Sequence, residues 1–170
     1  MTGYDIQTLA DRAEIADLFT KLGRCLDEHR FDELHELFTE DVVGTTPGGT
    51  QTGRDALVGQ ARRNHEDYDR LTHQFTSVLV EVDGDRATIR AYVTGSFGHA
   101  ADPRPERVLT GLYRNKVVRT GAGWRISELT VEPKFRVEAP AEGSGERSGE
   151  GSGETSGAAA AAVPAAASAR

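Results

Sequence analysis

Residues 71–97 read LTHQFTSVLVEVDGDRATIRAYVTGSF, and this stretch decides the fold. Two runs rich in β-branched and aromatic residues flank Asp83-Gly84, a dipeptide typical of two-residue β-hairpin loops. The pattern therefore predicts a long antiparallel hairpin that folds on Asp83-Gly84. In that register one face is apolar and carries Val78, Val80 and Val82, and the mixed outer face carries His73, Phe75, Leu79 and Tyr92.

Length and charge narrow the possible classes of protein. The chain has 170 residues, which is enough for one domain. Its net charge is −7, and no stretch of the sequence forms a basic stripe. We therefore expect neither nucleic acid nor an anionic membrane as a partner. Cys25 is the single cysteine, so no internal disulfide is possible. No signal peptide and no run of 18 apolar residues is found, which predicts a cytoplasmic protein.

The N-terminal third is predicted to be helical. Residues 8–29 carry apolar side chains at spacings of three and four, with Thr8 as the expected N-cap and Asp27 near the end. Residues 31–38 carry a second, shorter stripe of apolar side chains, and residues 42–45 are predicted to form a short strand. A third helix is predicted to begin at the cap Thr52.

Strands dominate the rest of the domain. Residues 108–119 and 124–137 are predicted to form two further strands after the hairpin, so that helices precede a run of antiparallel strands. This order is typical of an α+β architecture. Residues 138–170 are rich in Gly, Ser, Glu and Ala and are predicted to be a disordered tail, which leaves residues 1–137 as the folded domain.

The order of these elements resembles a known family. The segments LGRCLDEHRFDELHELFTEDVV, Thr52–Leu57, His73 before VLVEVDGDRA and the closing GWRI resemble the SnoaL-like branch of the nuclear transport factor 2-like superfamily. The resemblance implies a cone, in which N-terminal helices pack into a strongly bent, antiparallel or mixed sheet around an apolar pocket. The branch includes relatives of polyketide cyclases, scytalone dehydratase and ketosteroid isomerase, and also members without catalytic activity.

The resemblance also implies site residues. Asp27 matches an aspartate at the end of the first helix, and His73 matches a histidine that works with it in acid–base chemistry. Leu26 replaces a tyrosine of the dehydratases, so scytalone dehydration itself is not expected. The second histidine of the dehydratases aligns nearest to Phe97 in this sequence. His99 lies two residues further along the same strand. The expected substrate-binding wall comprises Phe19, Leu22, Leu26, Phe38, Val93, Phe97, His99 and Tyr113.

The hairpin register conflicts with this implied site, because His73 falls on the face opposite the valines. A single β-bulge between His73 and Val78 would reverse the alternation and turn His73 inward. We therefore predict such a bulge. Phe75, Leu79 and Tyr92 on the outer hairpin face are expected to form a homodimer contact.

Other candidates have simpler interpretations. His29 and His35 lack the spacing of a metal site, so neither a metal nor a cofactor is predicted. His65 shares the expected buried side of the third helix with Leu57, Ala61 and Tyr68. Beside Glu66, Asp67 and Asp69, however, its simplest interpretation is a solvated helix end. Tyr113 could line the pocket or the core, and Trp124 is expected in the core.

Two functions are compatible with the sequence. The first is a cofactor-independent lyase, isomerase, cyclase or dehydratase that uses Asp27 and His73 on a small hydrophobic oxygenated molecule. Either residue could be the base. The alternative is a non-catalytic ligand-binding or homodimeric interaction module of the same fold.

Overall fold

The structure is a computed structural model, and it describes residues 5–139. Two α-helices, one short 3₁₀ helix and six strands make up this part of the chain, and the sheet is strongly curled. The α+β class and the cone architecture are therefore confirmed. Residues 140–170 of the predicted tail lie outside the described residues, whereas Glu138 still belongs to the last strand.

The first helix, α1, spans Ile6–Asp27. Its N-cap is Asp5, whose carboxylate accepts a hydrogen bond from the Thr8 backbone N–H at 2.7 Å, so the predicted cap at Thr8 is wrong. The buried stripe has the predicted spacing of three and four residues and comprises Asp11, Ile15, Leu18, Phe19, Leu22, Gly23, Cys25 and Leu26. This stripe packs into the concave side of the sheet.

A compact segment joins α1 to the long strands. It contains a 3₁₀ helix at Phe31–Glu36, strand β1 at Phe38–Thr46, strand β2 at Gly49–Thr52 and helix α2 at Arg54–His65. The N-cap of α2 is Gly53 with φ 91°, and not Thr52, because Thr52 is still paired with Val43 in the sheet. A positive φ at this position favours glycine.

Four long strands complete the sheet: β3 at Arg70–Asp83, β4 at Arg86–Gly98, β5 at Arg107–Thr120 and β6 at Gly123–Glu138. The strand order is β2-β1-β6-β5-β4-β3. Only the β1–β6 pair is parallel within the described residues, so the sheet is mixed. β3 is therefore the edge strand beside β4, and it packs against α1.

The turn of the central hairpin lies one residue later than predicted. Asp83 pairs with Arg86, so the loop residues are Gly84 and Asp85, and Gly84 has φ 57°. Val82 accordingly faces Ala87, not Asp85. A glycine at the first loop position is typical of a type II′ turn, in which only that residue needs a positive φ.

The predicted bulge is confirmed. Thr76 pairs with Tyr92 and Leu79 pairs with Arg90, so Ser77 and Val78 together face Ala91. Ser77 has φ 53°, which marks the irregular residue. Before the bulge, Leu71, His73 and Phe75 point into the cone. After the bulge, Val80 and Val82 point into the cone. Phe75 consequently packs inside the cone, which corrects its predicted place on the outer face. Val78 belongs to the bulge and is exposed, which corrects its predicted place on the inner face with Val80 and Val82.

The core at the far end of α1 is anchored by a buried carboxylate. Asp11 accepts hydrogen bonds from Arg119 at 2.6 Å and from the Trp124 indole N–H at 3.2 Å. The bond from Arg119 is the main cause that lowers the pKa of Asp11 to about 2. Trp124 is 2% exposed, which agrees with its expected place in the core. No helix in residues 5–139 is long and apolar enough to cross a membrane.

Candidate functional site

The end of α1 and the start of β3 bring Asp27 and His73 together. The Nδ1 atom of His73 lies 2.6 Å from Oδ1 of Asp27, and the His73 backbone N–H donates to Oδ2 at 2.9 Å. One carboxylate thus holds both the ring and the main chain of the histidine. With the proton on Nδ1 donated to an ionised Asp27, the other ring nitrogen, Nε2, is left as a hydrogen-bond acceptor.

A glycine allows this close approach of helix and strand. A Cβ atom at Gly23 would lie 3.3 Å from the His73 carbonyl oxygen and 3.4 Å from the Phe75 ring. Gly23 and Asp27 are four residues apart and share one face of α1. The absent side chain at Gly23 therefore lets the next turn of the helix bring Asp27 within hydrogen-bond distance of β3.

His73 borders a cavity of about 400 Å³ inside the cone. The wall is mostly apolar and comes from α1, α2 and the concave face of the sheet, as is usual for small-molecule pockets. The His73 side chain is only 5% exposed, against 25% for Asp27. Nε2 of His73 has no hydrogen-bond partner among the described residues, although it is not fully buried. It is therefore free to accept a proton from a ligand in the cavity.

Six of the predicted substrate-binding residues lie in the cavity wall, namely Leu22, Leu26, Phe38, Val93, Phe97 and Tyr113. Two do not. Phe19 is 1% exposed and stacks on Phe75 in the core, with ring centroids 4.7 Å apart. His99 follows the end of β4, is half exposed, and contacts Asp69 and Glu106.

The structure adds His65 to the site, at the C-terminal end of α2. Its ring lies beside that of His73, with centroids 5.3 Å apart, and it lines the cavity. Nδ1 donates to the Ala61 carbonyl oxygen at 2.6 Å, and burial lowers the pKa of His65 to about 4. The predicted solvated helix end is therefore wrong at this residue. Its place four residues after Ala61, on the buried stripe of α2, was the available signal.

Tyr113 and Arg107 supply hydrogen-bond donors to the cavity. Burial raises the pKa of the Tyr113 hydroxyl to about 12, so this group stays protonated at neutral pH. The Arg107 guanidinium lies over the Phe97 ring, 4.3 Å from its centroid. Arg107 follows a proline-rich loop, and no periodicity in the sequence identified it. The described residues contain no group of three His, Cys, Asp or Glu side chains placed to hold a metal ion.

The low pKa of His65 predicts a pH-dependent stability. The unfolded histidine takes up a proton near pH 6.5, whereas the folded residue resists protonation down to about pH 4. Folding stability from this group is complete above pH 6.5 and falls as the pH drops toward 4, by up to about 3 kcal/mol. Urea unfolding of His65→Gln between pH 7 and 4 should give a shallower loss of stability than wild type.

The control for this measurement is His35→Gln, since His35 is on the surface of the 3₁₀ helix and contacts Asp55. Its profile should keep the loss of stability toward pH 4 that His65 causes. Parallel profiles for wild type and His65→Gln would show that His65 is protonated as easily in the folded state as in the unfolded state.

The fold and the Asp–His pair in an apolar cavity define a class of small-molecule-binding cone domains. The chain belongs to the SnoaL-like domain family, whose model matches residues 7–130. An uncharacterised protein of Mycobacterium tuberculosis is 31% identical over 124 residues, which cover 71% of this chain and 84% of that protein. The similarity therefore extends over most of the mycobacterial protein.

Two solved structures share the fold. A scytalone dehydratase-like protein of Novosphingobium aromaticivorans has a TM-score of 0.69 at 22% identity, over 78% of this chain and 89% of its own. A hexachlorocyclohexane dehydrochlorinase, LinA type 2, has a TM-score of 0.71 at 21% identity, over 81% and 95%. At these identities the likeness concerns the fold. It is a fold that also occurs in proteins named for elimination reactions.

Proposed function

We propose that the protein is a cofactor-independent acid–base enzyme of the lyase, isomerase or cyclase type, acting on a small hydrophobic oxygenated molecule. The observation that carries the proposal is the pair of bonds from His73 to Asp27, which leaves Nε2 open to a largely apolar cavity. Imidazole is suited to proton transfer near neutral pH, and a fixed carboxylate stabilises its cation.

His73 is the base in this proposal and Asp27 orients it. Both Asp27 oxygens already accept hydrogen bonds from His73, whereas Nε2 has a free lone pair. Nε2 would remove a proton from a carbon beside a carbonyl or a leaving group. In an elimination the electrons of that C–H bond form the new double bond as the leaving group departs. In an isomerisation the imidazolium returns the proton to another carbon.

Tyr113 has the properties needed for a hydrogen bond to a substrate oxygen. Its hydroxyl stays protonated, and within the described residues it makes no hydrogen bond of its own. A neutral donor in an apolar cavity stabilises negative charge that develops on a carbonyl oxygen when the neighbouring C–H bond breaks. Tyr113 would therefore act on the oxygen while His73 acts on the carbon.

The test begins with a ligand screen. Hydroxylated aromatic and polyketide-like compounds are added to wild type and to His73→Ala, and the thermal midpoint is measured, because a ligand of the folded state stabilises by mass action. Compounds that bind are then incubated with each protein, and the products are analysed by mass spectrometry. A compound that both proteins convert at the same rate would contradict the proposal.

The alternative function is a non-catalytic ligand-binding or homodimeric module. The outer face of the β3–β4 hairpin carries a patch of three half-exposed side chains, Val78, Leu79 and Tyr92, at 41%, 45% and 47% exposure. We propose that a second copy of the chain covers this hairpin patch, in the enzyme as in the module.

Leu79→Glu should therefore shift the protein toward the monomer, since a buried unpaired charge is costly. Light scattering coupled to size-exclusion chromatography measures the change. A monomeric wild type would contradict the dimer.

A further inference from the structure

The cavity holds a positive charge that no carboxylate neutralises. Arg107 lines the wall, and its Nε is buried without a hydrogen-bond partner. Within residues 5–139 no ion pair includes Arg107. The other arginine of the wall, Arg136, is engaged by Glu138. No aspartate or glutamate is among the residues that line the cavity.

Aromatic rings fix the Arg107 guanidinium without satisfying its N–H groups. The guanidinium carbon lies 4.3 Å from the Phe97 ring centroid and 5.1 Å from that of Tyr68. Cation–π contacts of this kind orient the group, but its five N–H donors still require acceptors. A partly buried charge without a partner is unfavourable, so an anion bound in the cavity would be stabilised by pairing with Arg107.

The position of Arg107 relates this anion site to His73. Phe97 contacts both residues, because the His73 ring meets the Phe97 ring edge-on with centroids 5.5 Å apart. A group bound to Arg107 would thus lie within the length of a small aromatic molecule from Nε2 of His73. The charge of Arg107 also contributes to the lowered pKa of His65, of which burial is the main cause.

We propose that the ligand of this cavity is a hydrophobic carboxylate whose acid group pairs with Arg107. A carboxylate matches the planar fork of the guanidinium and can accept two parallel hydrogen bonds. The apolar body of the ligand would pack on Leu26, Val93 and Leu109. Only the later removal of a proton from the bound acid by His73 rests on the proposed function. The binding of the acid itself does not depend on that step.

The experiment compares an acid with its neutral amide. Isothermal titration calorimetry at pH 7.5 measures the binding of 2-naphthoate and of 2-naphthamide, which have the same ring system. Wild type should bind the acid at least about ten-fold more tightly, as expected for hydrogen bonds to a charged group. Arg107→Gln should abolish this preference, because the acid loses a charged partner and the neutral amide does not.

The matched control is Arg114→Gln. Arg114 is on the same strand, but it is exposed and paired with Glu132, so this variant changes the net charge equally and leaves the cavity intact. It should keep the preference for 2-naphthoate. His73→Gln should keep it too, which separates this inference from the proposed function. If His73→Gln converted a substrate at the wild-type rate, that result would contradict the proposed function and not the carboxylate site at Arg107.

Two results would overturn the inference. One is a wild-type protein that binds acid and amide with equal affinity or binds neither at millimolar concentration. The other is a folded Arg107→Gln that retains the full preference. Because the first comparison uses wild type alone, a variant that fails to fold does not prevent a decision. Arg107→Lys, which keeps the charge but loses the fork, should retain part of the preference.

Discussion

Asp27→Asn is expected to lower the turnover of any substrate of this cavity by about 10²–10⁴-fold while the protein remains folded. The reason is the double role of the carboxylate, which accepts one hydrogen bond from the His73 ring and another from the His73 backbone. An asparagine at this position has a single oxygen. It cannot accept both bonds in the arrangement that Asp27 uses.

Each orientation of the asparagine impairs the base. If the amide oxygen accepts from the backbone N–H, the NH₂ group faces Nδ1 and favours the tautomer with the proton on Nε2. That tautomer has no lone pair on the nitrogen that opens to the cavity. If the oxygen faces Nδ1 instead, the backbone bond is lost, and the imidazolium also loses its counter-ion.

Steady-state kinetics on a compound found in the screen would measure this effect, with circular dichroism to confirm the fold. The matched control is Asp32→Asn, since Asp32 is exposed, is paired with Arg62 and does not line the cavity. The double variant with His73→Gln should be about as impaired as His73→Gln alone, because the two residues act as one unit. Fully additive losses would mean that Asp27 acts independently of His73.

The bulge in β3 was predictable because two demands on the same strand conflicted. Strict alternation placed His73 opposite the valines, yet the resemblance required it inside the cone. One extra residue at Ser77 and Val78 resolves the conflict. The turn was misplaced by one residue because both Asp83-Gly84 and Gly84-Asp85 contain the glycine that a tight turn needs. Local chemistry alone does not choose between these two loops.

The parts of the site that sequence reasoning missed depend on contacts far apart along the chain. His65 is followed by acidic residues and looks solvated, but it packs against His73 and Phe97 of the neighbouring strands. Arg107 becomes a cavity residue only because the β4–β5 pairing places it opposite Phe97. Periodicity identifies the buried side of an element. It does not identify which buried residues border a cavity and which fill the core.

Phe19 illustrates this distinction and leads to the largest expected change in stability. The sequence predicted a ligand contact, but the ring is buried between Phe75 and Tyr113, at centroid distances of 4.7 and 5.9 Å, and it does not line the cavity. Phe19→Ala should therefore lower the free energy of unfolding by about 3–5 kcal/mol, since the lost contacts leave a void that the core fills only partly. Urea unfolding gives this value.

The graded control is Phe19→Leu, which keeps most of the volume and should cost less. A loss below about 1 kcal/mol in Phe19→Ala, together with weaker ligand binding, would instead make Phe19 a ligand contact. Phe19 also supports Phe75, which lies two residues after His73 on the inner side of β3. Loosening that ring should disturb the strand that presents His73 to Asp27, so Phe19→Ala should reduce turnover without touching the substrate.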